Sequence, residues 1–494
     1  MSGTHGLLVA GIDSSTQSCT VEIRRADDGA LLGSGGAPHP VTHPPVSEQD
    51  PARWWSALTA ALAAACADAG IDAGDIDAVS VGAQCHGMVV LDADDTVVRP
   101  AKLWNDTTSG PQAARLVAEY GAANWVAAIG LTPSAALTVT KLAWLAEHEP
   151  ANLARLRTVL LPHDYLTFRL TGEKVTDRSE ASGTGYYAAA QGRWLTEILE
   201  RFVSADLNWA AALPRVLGPD ETAGTVQASA AAELGLRTDV MVGAGGGDQH
   251  LGALGLGLRP GDVAYSFGTS GVVLTTTPDS VHDTSGWVDG VADAAGGYLP
   301  LVCTLNCTKV TDTFARVLGV TPPELGDLAL AADPSRRRPV LVAYLDGERS
   351  PARPAAEGLL AGLTTDLTRE DFALAVVEGV ISGIVRGHQA LTGAGIATGG
   401  EIVAAGGGAR STAYRQVLAD QLGRPVHTRD APEATARGAC VQAAAVLTGR
   451  PVTRVRDAWC PPTTSTIEPR VERAVGLDPR YTPLADWRGA DRPS

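Results

Sequence analysis

Aromatic residues, methionine and cysteine are all scarce in this chain. Phe, Tyr and Trp make up 5% of its 494 residues, and there are Met 3 and Cys 7. So few aromatics do not suit an aromatic-rich binding surface, whereas abundant glycine (55 residues) and alanine favour tightly packed α/β layers. Basic residues are outnumbered, Lys+Arg 39 against Asp+Glu 55, for a formal net charge of −16. A surface this acidic repels phosphate backbones, so no nucleic-acid partner is expected. Small phosphate-bearing ligands are not excluded, because local amide donors and metal ions hold them. Long apolar runs are missing: Ala57 to Ala67 is too short and too Ala-rich to span a bilayer. Met1 to Gly6 has no basic patch followed by an apolar stretch, so neither a signal peptide nor a membrane partner is expected. The cysteines are odd in number and scattered. Cys303 and Cys307 lie close together, but no second Cys/His pair nearby completes a zinc site. Each is expected to be a reduced, packed thiol in a cytoplasmic protein.

What remains is an ordinary globular composition, 45% hydrophobic and 19% charged, on a chain too long for one core. Two domains of about 200 residues are the starting expectation. The segment Leu7 to Ile23 reads as an apolar strand ending in Asp13, a run of small hydroxyl residues, and a second strand. Asp50-Pro51 then caps an amphipathic helix from about Trp54 to Ala69, and a strand at Ala78 to Val81 leads into the loop Gly82 to Gly87. Halfway along, a related pattern returns: Val242 to Gly247 runs through glycines into Asp248, and Val263 to Leu274 is again strand, small-hydroxyl turn and strand. Two such hairpins, each opening half of the chain, suggest a duplicated domain with a cleft between the copies. The expected units are 7–252, 253–448 and a surface tail over 449–494, where periodicity fades after Gly449. A helix over roughly Asp371 to Thr392, a strand at Glu401 to Ala405, the run Gly406-Gly407-Gly408 and a helix from Ser411 to Leu422 complete the second unit.

Phosphoryl transfer requires donors around the phosphates, an acid to hold Mg²⁺ and a base for the attacking hydroxyl. The turns Ser14 to Ser18 and Gly268 to Gly271 offer amides and hydroxyls. Asp13 stands at a strand end beside the first turn, and Asp248 follows three glycines that leave it open to approach. Taken singly, each has a plain structural explanation: an Asp after a strand is commonly a cap, and a glycine run a turn.

In its joint order the chain resembles the FGGY carbohydrate kinases, relatives of actin and hexokinase, from about Leu7 to Leu447. Gly358-Leu359-Leu360-Ala361-Gly362-Leu363 with Asp371-Phe372 and Ala375-Val376-Val377-Glu378 is similar to the family's C-terminal signature, and Thr138 to Leu145 to its N-terminal one. Several segments are similar to xylulokinases: Glu48-Gln49-Asp50-Pro51, Gln84-Cys85-His86-Gly87-Met88, Leu103-Trp104-Asn105-Asp106, Leu161 to Leu166, and Gly347-Glu348-Arg349-Ser350-Pro351. The resemblance implies an α/β fold of two ribonuclease-H-like (actin/hexokinase-type) domains around a central cleft, phosphorylating a small ketose with ATP and Mg²⁺. It implies Asp248 as general base and Asp13, with Asp248, serving the metal through water. Cys85, His86, Trp104, Asn105 and Gln249 would line the sugar. Ser15, Thr16, Gly268 and Thr269 would approach the phosphates, and Gly406, Gly407, Gly408 and Ser411 would border the adenosine. A homodimer is left open.

Three positions depart from the xylulokinase pattern. Gln249 replaces the usual Asn after the base, as in glycerol kinases, and Cys85 replaces the usual Met or Gln. Thr20 stands where the first phosphate loop usually ends in Lys or Arg. A glycerol or polyol kinase therefore stays an alternative, as does a non-catalytic sugar sensor.

Overall fold

Leu8–Ser14 is buried at every position except Asp13, where it is partly exposed. A strand with both faces covered reads as a continuous apolar run, and this one lies inside its sheet. The computed structural model describes residues 6–333, 335–470 and 475–490. In it, the first 7-stranded sheet runs in the order Thr222–Thr225, Met241–Gly243, Ala78–Ala83, Leu8–Ser14, Ser18–Arg25, Leu31–Pro38, with Gly246–Gly247 also paired to Ala78–Ala83. The helix Pro51–Ala69 packs on its antiparallel side. As the sequence indicates, the Asp50 side chain accepts from Ala52 N, proline occupies the first turn, and Gly70 ends the helix in the left-handed region.

The second 7-stranded sheet repeats the plan: Asp289–Ala292, Tyr298–Thr304, Gly271–Thr275, Val263–Phe267, Ile402–Ala405, Val426–Arg429, Thr463–Ile467. In each sheet an antiparallel hairpin comes first, and its first strand runs parallel to a later strand. That strand is parallel to another, whose outer neighbour is antiparallel. The outer strand of the second sheet is Thr463–Ile467, from the stretch after Gly449 that carries no sequence periodicity. The same stretch buries Val452, Val455, Trp459 and Tyr481.

Each sheet has its own hydrophobic core. The two halves are also joined by the helix Ala434–Thr448, which follows the second sheet's parallel strands yet packs on Leu8–Ser14 and Ala78–Ala83 of the first. It crosses Asp248–Gly255 closely enough that a Cβ on Gly438 would stand 2.7 Å from the Leu251 carbonyl carbon. Only glycine permits that approach. Among the described residues no helix is long and apolar enough to cross a membrane.

Candidate active site

Three strands end side by side at one edge of the first sheet. Asp13 pairs with Gly82, and Gly82 with Gly246. Ser14, Ala83 and Gly247 form the next row, and Asp248 begins the following helix. Both candidate acids therefore stand at the carboxyl ends of parallel strands, where α/β sheets bind ligands. Ser15 Oγ donates to Asp13 Oδ1 at 2.5 Å. Burial, then the negative charges of Asp248 and Glu433, push the Asp13 carboxyl up to about 7, against the pull of the Ser15 hydrogen bond. Asp248 is also raised, by burial. Its Oδ1 accepts from Gln249 N at 2.7 Å and lies 3.4 Å from Cys85 Sγ. Asp13 thus feels both Asp248 and Glu433, and carboxylate oxygens are the donors that a hard divalent cation takes.

The residues expected to line the sugar are drawn together as well. His86 has φ 65, a left-handed conformation that costs a non-glycine residue about 1–2 kcal/mol and marks a position held by its surroundings. Its N–H donates to Glu180 Oε1 at 2.5 Å, and its carbonyl accepts from Thr138 Oγ1 at 3.0 Å. Burial, then the positive charges of Lys141 and Arg349, hold the imidazole well below its usual range, so it is neutral at pH 7. The buried His86 Nδ1 and Asn105 Oδ1 have no hydrogen-bond partner among the described residues. Trp104 is 40% exposed and donates from Nε1 to Thr16 Oγ1 at 2.9 Å, which ties this wall to the first turn. Buried Lys102 supports the wall from behind through Asp106 and Glu48.

The remaining predicted residues form a second cluster, at the carboxyl end of the second sheet. Ser266 pairs with Ala405, so the exposed turn at Gly268 and Thr269 lies beside Gly406 and Gly407. Gly406 has φ 78, and a Cβ there would stand 2.9 Å from Phe267 O. Ser411 is an N-cap: its Oγ accepts from Tyr414 N at 3.3 Å. No hydrogen bond among the described residues joins the two clusters directly. The link is the chain after Val426–Arg429, which carries Glu433 to Asp13 and Thr435 to Asp248, where Thr435 Oγ1 donates to the backbone oxygen at 3.1 Å.

Residue-by-residue reading of the sequence overlooks Glu180, Glu433, His250 and Lys141. Glu180 is fully buried and burial pushes its carboxyl up to about 8. The available signal was an acid in the first turn of a short helix capped by Asp177. Lys141 lies in the N-terminal signature. Burial lowers it to about 7, and its Nζ donates to Ala135 O at 3.1 Å, bracing the loop before its helix.

Two matches decide what this geometry belongs to. The N-terminal domain of the FGGY family of carbohydrate kinases matches residues 8–255, and the family's C-terminal domain matches residues 263–447. The chain belongs to this family. As a member it is a carbohydrate kinase, an enzyme that phosphorylates a sugar. Among curated relatives it is 44% identical to a xylulose kinase of Streptomyces coelicolor over 460 residues, 93% of this chain and 92% of that protein. It is 43% identical to a xylulose kinase of Streptomyces rubiginosus over the same shares of each. The crystal structure of xylulose kinase from Bifidobacterium adolescentis superposes with a TM-score of 0.84 at 37% identity, covering 94% of this chain and 97% of that one. The two mixed sheets, one per domain, are the two-domain α/β plan of FGGY kinases expected from the sequence.

The raised Asp13 carboxyl makes a pH-dependent stability prediction. A carboxyl raised from 3.8 to about 7 on folding contributes stability that is fully present below 3.8, declines as pH rises above it and is lost once pH passes through 7. Asp13→Asn should therefore raise the melting temperature of metal-free protein most above pH 7, with the gain shrinking as pH falls toward 4. Thermal melts in chelator measure this, and an equal shift at both ends of the range contradicts it.

Proposed function

We propose that this FGGY kinase transfers the γ-phosphoryl group of ATP to D-xylulose, giving D-xylulose 5-phosphate, with Asp248 as general base. The observation that carries the reading is the position of Asp248. It stands at a strand end behind three glycines, beside the Cys85–His86 loop, with both of its side-chain hydrogen bonds on Oδ1. That leaves Oδ2 to take the proton of a sugar hydroxyl. The raised carboxyl brings the base nearer to operating pH, where general bases work best. Neutral His86 offers one donor and one acceptor to the ketose, and Trp104 and Asn105 close the pocket wall. The turn amides around Ser15, Thr16, Gly268 and Thr269 receive phosphate oxygens, while Gly406 to Gly408 leave room for the adenosine. Asp13, with Asp248 and Glu433 nearby, would hold Mg²⁺ through water, and that ion supplies neutralisation of phosphate charge. The xylulose kinases similar over the whole chain support the choice of sugar. The reading places the enzyme in the cytoplasm with its ATP.

Gln249 favours a second reading, a glycerol or other polyol kinase. ADP release across pentuloses, hexuloses, glycerol and pentitols separates the two, and the xylulose reading fails if glycerol or a pentitol is used much better than D-xylulose. Gln249→Asn adds a second arm. If D-xylulose is the substrate the change should be mild, because an amide remains. If a polyol is fitted to the longer amide, kcat/KM for that polyol should fall by about 5–150-fold, the loss of one buried hydrogen bond.

A further inference from the structure

Three side chains of mixed hardness converge behind the sugar loop. One ligand atom each from Cys85, Glu180 and His250 lies within 4.8 Å of the other two. They surround the place where Gly247 lacks a side chain: a Cβ there would stand 2.5 Å from Cys85 Sγ and 2.6 Å from His250 Nδ1, with Glu180 Oε2 against it as well. Glu180 is 0% exposed and His250 3%. Glu180 Oε2 and both ring nitrogens of His250 lack a hydrogen-bond partner among the described residues. Buried polar atoms without partners are rare in folded proteins, and two of these, Glu180 Oε2 and His250 Nδ1, face the same space beside Gly247. Cys85 is itself part of the loop Gly82 to Gly87, so the spot adjoins that loop.

We propose that Cys85, Glu180 and His250 bind a thiophilic divalent cation such as Zn²⁺, and that its occupancy inhibits phosphorylation. A sulfur, an imidazole nitrogen and a carboxylate oxygen suit zinc-type ions, whereas Mg²⁺ selects oxygen ligands. Three protein ligands leave a fourth position open, and the inhibition assigns it to Asp248, whose Oδ1 lies 3.4 Å from Cys85 Sγ. Binding releases the Cys85 thiol proton and the Glu180 carboxyl proton to the buffer and changes no oxidation state. The ion thereby ties the base to the loop and competes with the sugar. Metal binding stands independently of the proposed reaction, while the inhibition rests on it.

The test titrates metal-stripped full-length protein with Co²⁺ and follows thiolate-to-cobalt charge-transfer absorption. One equivalent should produce the band and Zn²⁺ should displace it. The band should be absent in Cys85→Ser, and in His250→Gln affinity should fall by about tenfold or more, since even outer partners of metal ligands contribute that much. Folded wild-type protein without a band overturns the site, as does a band that survives in Cys85→Ser. In parallel, ADP release with excess MgATP is measured over a sugar panel at buffered free Zn²⁺. Wild-type turnover should drop, be recovered by raising sugar or adding chelator, and the rate of Cys85→Ser, at whatever level, should not respond. A wild-type enzyme that shows the band yet ignores Zn²⁺ overturns the inhibition. A band in a protein that phosphorylates no sugar without Zn²⁺ supports the metal site and overturns the proposed function instead.

Discussion

Asp248→Asn is expected to lower turnover by about 10²–10⁴-fold while nucleotide affinity and melting temperature stay near wild type. Asparagine keeps the carbonyl oxygen that accepts from Gln249 N and meets Cys85 Sγ, so the start of the helix is preserved. The lost capacity is that of accepting a proton from the sugar hydroxyl as the phosphoryl group arrives. Burial already raises this carboxyl, which means the fold bears a cost to keep it ionised, and removing the charge should not destabilise the protein. Because the interaction belongs to the transition state, kcat and kcat/KM should fall together. Steady-state kinetics with D-xylulose check this, and a variant near the wild-type rate removes Asp248 from the role.

His86→Ala is expected to reduce kcat/KM for the sugar by about 5–150-fold, corresponding to about 1–3 kcal/mol for a buried polar partner left alone, with KM for ATP unchanged. The imidazole sits on a backbone that pays to be left-handed, and the bond from the backbone N–H of His86 to Glu180 Oε1 holds it there. Glu180→Ala should reproduce part of the loss by releasing the loop, and Glu180→Gln should recover much of it, because an acceptor oxygen remains. An unchanged sugar KM in His86→Ala, or a Glu180→Gln variant as damaged as Glu180→Ala, contradicts this account.

Some of the site was legible because its signals are local. The hairpin through Asp13, the capped helix after Asp50 and the glycines leading to Asp248 each follow from residues adjacent in sequence. Other parts left no local trace. In Ala434–Thr448 every residue from Ala436 to Val446 is buried, so no amphipathic stripe announces the helix that joins the domains. Thr463–Ile467 has no apolar alternation, and it becomes a strand because the edge at Val426–Arg429 supplies the ladder it completes. Ser411 matched a ligand-border position by resemblance, and its hydroxyl caps a helix.

The chain alone therefore determined the class of the fold, its duplication and the two acids at strand ends, since periodicity, capping and glycine runs act over a few residues. Only the tertiary structure decided which distant groups act on those acids. Glu433 reaches Asp13 from hundreds of residues away, and Glu180 and His250 meet Cys85 behind Gly247, because a crossing helix and the ends of separate strands bring them there. Electrostatic and ligating interactions depend on distance in space, and distance along the chain does not encode it.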